Sequence, residues 1–231
     1  MTDTTDLGTI TVTGQRRPPD SAPSISFNGR FDSPSPQVDY EPKPGETPID
    51  EQPHDRCADP VTALPWNADA AGAAAVNNFL AKAAEIGFAD APNGVPNLLN
   101  REFGNFLLRG TGQSIEGTPV TAGLAGSPTD LELDLHNTTP YNYQGDVHSH
   151  PFGSPLPSQA DWDGFMANNR AARHAGRTGE TFYMYIVAAD PNGGPPTIHV
   201  YQDGPRAANS ADPPKPTTKG PEVNPDAQPC P

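Results

Sequence analysis

The sequence predicts an α/β fold in which helices pack against an antiparallel or mixed β-sheet, with proline-rich flanks on either side. Segments with helical periodicity alternate along the chain with short apolar runs that are typical of strands. Ten of the 30 prolines lie in residues 1–60 and eight lie in residues 205–231. Because proline lacks a backbone donor and these flanks contain little apolar material, we expect both to be extended or disordered. The chain is therefore divided into a leader (1–56), a folded domain (57–204) and a C-terminal tail (205–231).

Two helices are predicted. The first covers residues 67–86, with Asn67 or Asp69 as its cap and Gly87 at its end. Its buried stripe consists of apolar residues at three- and four-residue spacing: Val76, Phe79, Leu80, Ala83 and Ile86. The second covers residues 158–175. Its buried face carries Trp162, Phe165 and Met166.

The strands of the domain are predicted from apolar runs that are bounded by turn residues. They cover residues 102–110, 113–122, 141–147, 181–189 and 197–202. The polar stretch 123–140 is predicted to be a connection. In the leader, the β-like run 9–14 is too short to be stable on its own.

The charge and the chain termini limit the possible partners. A formal net charge of −14 argues against a nucleic-acid-binding surface, because such a surface needs clustered lysine and arginine. No apolar stretch reaches the length of about 18 residues that a membrane span needs. The first residues lack the basic and apolar regions of a secretory signal peptide. We expect a protein that is cytoplasmic as synthesised and that only a specialised, non-Sec system could secrete.

The two cysteines, Cys57 and Cys230, lie just outside the two ends of the predicted core, and Cys230 belongs to the C-terminal tail. They are either unpaired thiols in mobile flanks or a disulfide that clasps the ends together. A clasp would indicate an oxidising destination. The sequence leaves both possibilities open.

A pattern of metal-ligand type follows the third strand of the domain. His148 and His150 are two residues apart at the strand end, so their side chains point the same way. Pro151 ends the strand, and the loop after it returns Asp161 on the first turn of the second helix. Two imidazole nitrogens and one carboxylate leave a fourth position open on zinc, as catalytic zinc sites require.

Each part of this pattern has a simpler explanation when it is taken alone. A His-x-His pair is common, and Ser158 with Asp161 forms a helix capping box that needs no chemistry. Three further histidines are interpreted as structural or surface residues: His136, His174 and His199. The whole pattern is much more specific, because all of its members must fall in register together.

The complete string resembles the JAMM signature of JAB/MPN-domain metalloproteases, and the resemblance covers about residues 95–204. That signature is His-x-His-Pro, six residues, and Ser-x-x-Asp. It is matched here by His148-Ser149-His150-Pro151 and Ser158-Gln159-Ala160-Asp161.

The signature also contains a glutamate on an earlier strand. Glu102 is the expected counterpart, because Glu102-Phe103-Gly104 resembles the Glu-aromatic-Gly start of bacterial JAB-like domains. Glu116 and Glu132 are the alternatives. The chain departs from the eukaryotic members, since it has no Glu-x-x-Gly-Leu-Leu-x-Gly string.

The resemblance implies a JAB/MPN-like sandwich, similar to the cytidine-deaminase fold, that hydrolyses a peptide or isopeptide bond in a protein or peptide substrate. His148, His150 and Asp161 are then expected to bind Zn²⁺. Glu102 is expected to be the general base for the attacking water and to pass the proton to the leaving nitrogen. Ser158 is expected to donate a hydrogen bond to the oxyanion.

Two other functions were weighed. A non-catalytic JAB/MPN-like binding or assembly module has no reason to keep three ligands and the serine. A zinc deaminase would use a Cys-x-x-Cys pair, which this sequence lacks. Residues 9–18 also resemble the strings that precede toxin domains in some bacterial polymorphic effectors, which implies a secreted toxin with an immunity protein or a secretion-machine partner.

Overall fold

The computed structural model of this 231-residue chain describes residues 11–13, 57, 60–86, 98, 101–123, 130–133 and 137–230. Residues 1–15 and 56–231 form one compact unit, and all of the described residues belong to it. A second unit comprises residues 16–55 and lies outside the described residues, so the prediction for most of the leader stays a prediction.

The described residues form two helices and eight strands. The helices are α1 (Pro60–Glu85) and α2 (Gln159–His174). The strands are β1 (Thr11–Thr13), β2 (Phe103–Arg109), β3 (Ile115–Gly117), β4 (Thr121–Ala122), β5 (Asp130–Glu132), β6 (Tyr143–His150), β7 (Phe182–Ala188) and β8 (Thr197–Asp203). Neither of these helices is both long enough and apolar enough to cross a membrane.

Six of the strands form one mixed sheet. Its order is β3-β2-β6-β7-β8, and β4 also pairs with β2. The β6–β7 pair is parallel and the other pairs in this sheet are antiparallel. All residues of β6 and β7 are buried, as expected for central strands that are covered on both faces. The predicted α/β class, with a mixed sheet flanked by helices, is confirmed.

The two helices cover opposite faces of this sheet. Alternate residues of a strand point to opposite sides, and each side forms its own core. The core on the α1 side includes Phe79, Phe103, Val147, Tyr185 and Val187. The core on the α2 side includes Phe106, Trp162, Phe165, Met184 and Ile186. The predicted buried face of the second helix therefore lies in a core.

Helix α1 begins at Pro60, earlier than predicted. Proline is tolerated there, because the first backbone N–H groups of a helix have no partner within it. Asn67, predicted as a possible cap, lies inside the helix and donates from Nδ2 to the Gln113 carbonyl at 2.7 Å. The predicted helix end at Gly87 lies outside the described residues.

The stretch that was predicted to be a polar connection contains strand β5. It pairs with β1 of the leader as a two-stranded antiparallel sheet. Leu131 and Leu133 are buried, and both pack over Gly104 of β2, where an added Cβ would lie 2.7 Å from either side chain. This close approach explains why a residue without a side chain stands at Gly104.

The C-terminal strap, residues 205–230, packs along strand β8 and is not disordered. The N–H of Val200 donates to the Pro221 carbonyl at 3.0 Å, and the N–H of Val223 donates to the Ile198 carbonyl at 2.9 Å. Val223 is 5% exposed and belongs to the α1-side core. The predicted disorder of the tail is therefore wrong for these residues. The strap has no core of its own. Hydrogen bonds to the edge strand β8 and the burial of Val223 hold it against the domain.

The first half of the strap contacts helix α2 and the loop before it. Trp162 donates from Nε1 to the Pro213 carbonyl at 2.9 Å. Lys215 donates from Nζ to the Pro157 carbonyl at 3.2 Å. These two contacts lie on either side of Ser158 and Asp161 in sequence, so the strap supports the start of α2 from both sides.

The far end of the strap is joined covalently to the start of the domain. Cys57 and Cys230 form a disulfide, with their Cα atoms 5.2 Å apart. The N–H of Cys230 also donates to Oδ1 of Asn67 at 2.6 Å. Of the two possibilities that the sequence left open, the structure contains the disulfide clasp.

Candidate metal centre

The candidate metal centre lies where strand β6 ends and helix α2 begins. The strand ends at His150, Pro151 follows, and Ser158 caps the helix. In a β-loop-α unit, the carboxyl end of the strand and the amino end of the helix meet at one edge of the sheet. His148 and His150 are alternate strand residues, so both face α2. Asp161, in the first turn of α2, lies beside them.

The structure brings together the three ligands that the sequence predicted. One ligand-type atom from each of His148, His150 and Asp161 lies within 4.8 Å of the others. Oδ2 of Asp161 is 3.2 Å from Nε2 of His150 and 3.5 Å from Nε2 of His148. The three residues are 2%, 8% and 4% exposed, respectively. They form a buried group that could hold a metal ion.

Two observations test whether a tetrahedral ion fits this group. Two ligand atoms that each lie about 2.0–2.1 Å from a tetrahedral zinc ion are about 3.3–3.4 Å apart. The two distances from Asp161, 3.2 and 3.5 Å, are close to that spacing. Nε2 of His148 is buried and has no hydrogen-bond partner, which is unusual for a buried polar atom. The residues therefore fit a zinc ion.

The ring of His150 is oriented by the loop between β6 and α2. Its Nδ1 lies 2.8 Å from the carbonyl of Ser154. A carbonyl can only accept, so Nδ1 carries the proton and donates it. Nε2 is then left with the lone pair that a metal ligand needs, on the side of Asp161.

The ring of His148 is flanked by a second carboxylate, which the sequence analysis missed. Nδ1 of His148 lies 3.4 Å from Oδ1 of Asp146. Oδ2 of Asp146 accepts a hydrogen bond from the hydroxyl of Tyr143 at 3.1 Å. The available signal was spacing, because Asp146 precedes His148 by two residues and therefore shares its face of the strand.

The charges in this group reinforce one another. Burial acts to lower the pKa of His148, but the carboxylates of Asp161 and Asp146 outweigh it and hold that pKa well above its ordinary value. Burial acts to raise the pKa of Asp161, but His148 and His150 hold it well below its ordinary value. The pKa of Asp146 is raised, because its burial outweighs the attraction of His148. A metal ion that binds Nε2 of His148 must therefore compete with a proton for that nitrogen.

We expect zinc binding to release about one proton and its affinity to fall about tenfold for each pH unit below the pKa of His148. The sign follows from the raised pKa of His148, because only the neutral ring can ligate. Calorimetric titration with zinc in two buffers of different ionisation enthalpy measures the proton release. His174→Ala is the control, since this exposed residue lies at the other end of α2. Zinc affinity that does not change between pH 5 and pH 8 would contradict the expectation.

Ser158 forms the helix capping box, and this bond leaves its hydroxyl hydrogen free for the role expected from the sequence. Its Oγ accepts from the N–H of Asp161 at 3.1 Å, and its own N–H donates to Oδ2 of Asp161 at 2.6 Å. The hydroxyl is an acceptor in this bond, so its own hydrogen remains available to donate. The capping box thus fixes the carboxylate of Asp161 while Ser158 stays partly exposed at the centre.

Glu102 precedes strand β2 and is 4% exposed. Gly104 pairs with His148 across the antiparallel β2–β6 ladder, so the register continued by two residues places Glu102 opposite His150. Residues opposite each other share a face, with Cβ atoms about 4.5–5.5 Å apart. The backbone thus places Glu102 beside the candidate metal centre, across β6 from β7.

The alternative glutamates lie elsewhere. Glu116 on β3 and Glu132 on β5 are both exposed, whereas a base for this centre must reach a buried group. Ser149 faces the other side of the sheet, where its Oγ accepts from the N–H of Phe103 at 2.9 Å. Ser149, between the two histidines, therefore points away from the ligands.

Of the histidines that the structure describes, the other two lie apart from the centre. His199 is buried on β8, with Nδ1 3.1 Å from the carbonyl of Gly220 in the strap, so it has a structural role. His174 is exposed at the end of α2, as predicted. His136 lies outside the described residues.

The chain was also compared with known proteins. No family model, curated protein or solved structure matches it. The assignment of the centre therefore depends on the residues and geometry described above.

Proposed function

We propose that this protein is a JAMM-type zinc hydrolase with a JAB/MPN-like fold, and that it cleaves a peptide or isopeptide bond. The observation that carries the proposal is the buried trio of His148, His150 and Asp161, spaced for one tetrahedral ion. The ligand set supports catalysis over a purely structural ion, because three protein ligands leave one position open. A zinc ion held there would act as a Lewis acid and lower the pKa of a water molecule toward about 7.

Glu102 is the general base in this proposal. It accepts a proton from the attacking water and later gives it to the leaving nitrogen. Its low exposure supports this role, because the base must lie beside a group of buried ligands. Its place across from His150 puts it on the same sheet face as the ligands.

Ser158 stabilises the oxyanion that develops on the attacked carbonyl. Its position is fixed by the backbone of α2 through the capping box, so the hydroxyl is already in place before the reaction. A fixed donor of this kind costs no reorganisation during the reaction. In this proposal Ser158 and Asp161 both cap the helix and belong to the catalytic site.

The substrate approaches from the side of the loop between β6 and α2. The ligands themselves are buried, whereas Ser158 is partly exposed and Phe152 is 54% exposed. An exposed aromatic ring next to the centre offers an apolar contact for a protein or peptide chain. Main-chain and lysine-linked bonds are both tested below.

The test measures zinc content and hydrolysis in three proteins: wild type, His148→Ala and His174→Ala. The probes are fluorescence-quenched peptides and an isopeptide-linked lysine conjugate. We expect wild type and His174→Ala to hold a single zinc ion and to cleave at least one probe, and His148→Ala to do neither. Zinc bound without hydrolysis would favour the binding or assembly module. Failure of wild type to bind zinc at micromolar concentration would overturn the proposal.

A further inference from the structure

The Asp146 carboxylate lies behind a metal ligand, with a tyrosine hydroxyl behind it. Asp146 is 6% exposed and Tyr143 is 1% exposed. Two contacts connect the three side chains. The Tyr143 hydroxyl donates to Oδ2 of Asp146, and Oδ1 of Asp146 lies beside Nδ1 of His148. All three residues belong to β6, so one rigid strand sets their spacing.

A carboxylate in this place needs an explanation, because burying a charge is costly unless it is paired. The cavity of about 10 Å³ that Asp146 lines is otherwise walled partly by apolar groups, including Phe106, Leu133 and Phe165. The carboxylate is compensated by the Tyr143 hydroxyl on one oxygen and the His148 ring on the other. An apolar residue would fill this position at less cost if packing were the only requirement.

The two ligand histidines are oriented by different acceptors. His150 has the neutral carbonyl of Ser154 at Nδ1, whereas His148 has the carboxylate of Asp146. Either acceptor keeps the proton on Nδ1 and leaves Nε2 for the metal, but a carboxylate also increases the basicity of the ligating nitrogen. The unpartnered Nε2 of His148 is on the side of Asp161, where the ion would lie.

We propose that Asp146 is a positioning residue of the metal centre, which fixes the His148 ring with Nε2 toward the ion and strengthens it as a ligand. Tyr143 holds the carboxylate in place. This inference rests on the metal centre of the proposed function. It adds that the strength of His148 as a ligand is set through its other ring nitrogen, Nδ1, by the Asp146 carboxylate.

The test compares Asp146→Asn with Asp163→Asn. Both substitutions replace a carboxylate by an amide of the same size, but Asp163 is an exposed residue of α2 that accepts a hydrogen bond from Gln159 at 2.8 Å. We expect zinc affinity, measured by competition with a chromophoric chelator, to fall about 10–100-fold in Asp146→Asn. Asp163→Asn is expected to bind zinc like wild type.

A second readout separates positioning from a general structural effect. Long-range ¹⁵N–¹H spectra of histidine-labelled protein report which ring nitrogen carries the proton. In metal-free wild type above the pKa of His148, the neutral ring is expected in the Nδ1–H form. In metal-free Asp146→Asn the signals are expected to move toward a mixture of the two neutral forms. Hydrolysis by Asp146→Asn should recover at saturating zinc. Tyr143→Phe keeps the fold-forming ring and should weaken zinc binding in the same direction by a smaller factor.

The possible failures are distinct. Unchanged zinc affinity and unchanged ring signals in Asp146→Asn would overturn the role of Asp146 and leave the hydrolase proposal standing. If Asp146→Asn does not fold, wild-type zinc affinity in Tyr143→Phe would overturn the inference. Zinc-loaded wild type that cleaves no probe would overturn the hydrolase while leaving the role of Asp146 to be supported by its own two readouts.

Discussion

Glu102→Gln is expected to lower the rate of hydrolysis about 10²- to 10⁴-fold while zinc binding stays close to that of wild type. Glutamine keeps the size and the hydrogen-bonding shape of the side chain but cannot accept a proton. Glu102 is 4% exposed and its backbone lies across from that of His150. The substitution therefore removes a proton acceptor beside the metal ligands. Steady-state rates on the peptide and isopeptide probes, together with zinc content by mass spectrometry, measure the two effects.

Glu116→Gln is the matched control for this variant, because it makes the same chemical change at an exposed position on β3. It is expected to retain the wild-type rate. If Glu102→Gln keeps the wild-type rate and Glu132→Gln loses it, the base would be assigned to Glu132 instead. If Glu102→Gln and Glu132→Gln both keep the wild-type rate, neither glutamate acts as the base, and the proposed reaction loses its proton acceptor.

Replacing both cysteines, Cys57→Ser with Cys230→Ser, is expected to destabilise the protein by an amount that can approach the free energy of unfolding of an ordinary domain. The disulfide closes a loop with a sequence separation of 173 residues. The chain-entropy model assigns roughly 5 kcal/mol to a loop of that length. Urea unfolding followed by circular dichroism should show a lower transition midpoint in the double variant.

Wild type measured with a reducing agent is the control, since it should unfold at the midpoint of the double variant. A midpoint that is the same for oxidised wild type, reduced wild type and the double variant would mean that the clasp contributes nothing to stability. Limited proteolysis adds a local readout. Cleavage within the strap should become faster in the double variant. In wild type the strap backbone is held by the disulfide at Cys230 and by hydrogen bonds to β8, and the variant keeps only the hydrogen bonds.

The sequence predicted the local part of the centre well, because everything needed is contained in one β-loop-α unit. Strand periodicity placed His148 and His150 on one face, and the capping pair Ser158 and Asp161 marked where the helix starts. The main helices and strands were also predicted in the right order. These features depend on neighbours in the chain, which a pattern can report.

The features that were missed depend on partners that are distant in sequence. Composition indicated that residues 205–230 cannot bury a core of their own, but it does not show that β8 offers them a free edge. Strand β5 is only three residues long and needs β1 to pair with. Asp146 is a different case, because it is close to His148 in sequence. Their spacing allows the contact between the two side chains but does not require it.

The division of the centre between strands has a consequence for how it could change during evolution. The three ion-binding side chains come from residues 148–161, a short continuous piece that includes its own turn and helix cap. The proposed base arrives from β2, on the opposite side of β6 from β7. In the proposed enzyme, loss of the Glu102 side chain would abolish hydrolysis and leave the three metal ligands in place. The proposed hydrolase could therefore become a metal-binding protein without activity, and regain activity, by one substitution.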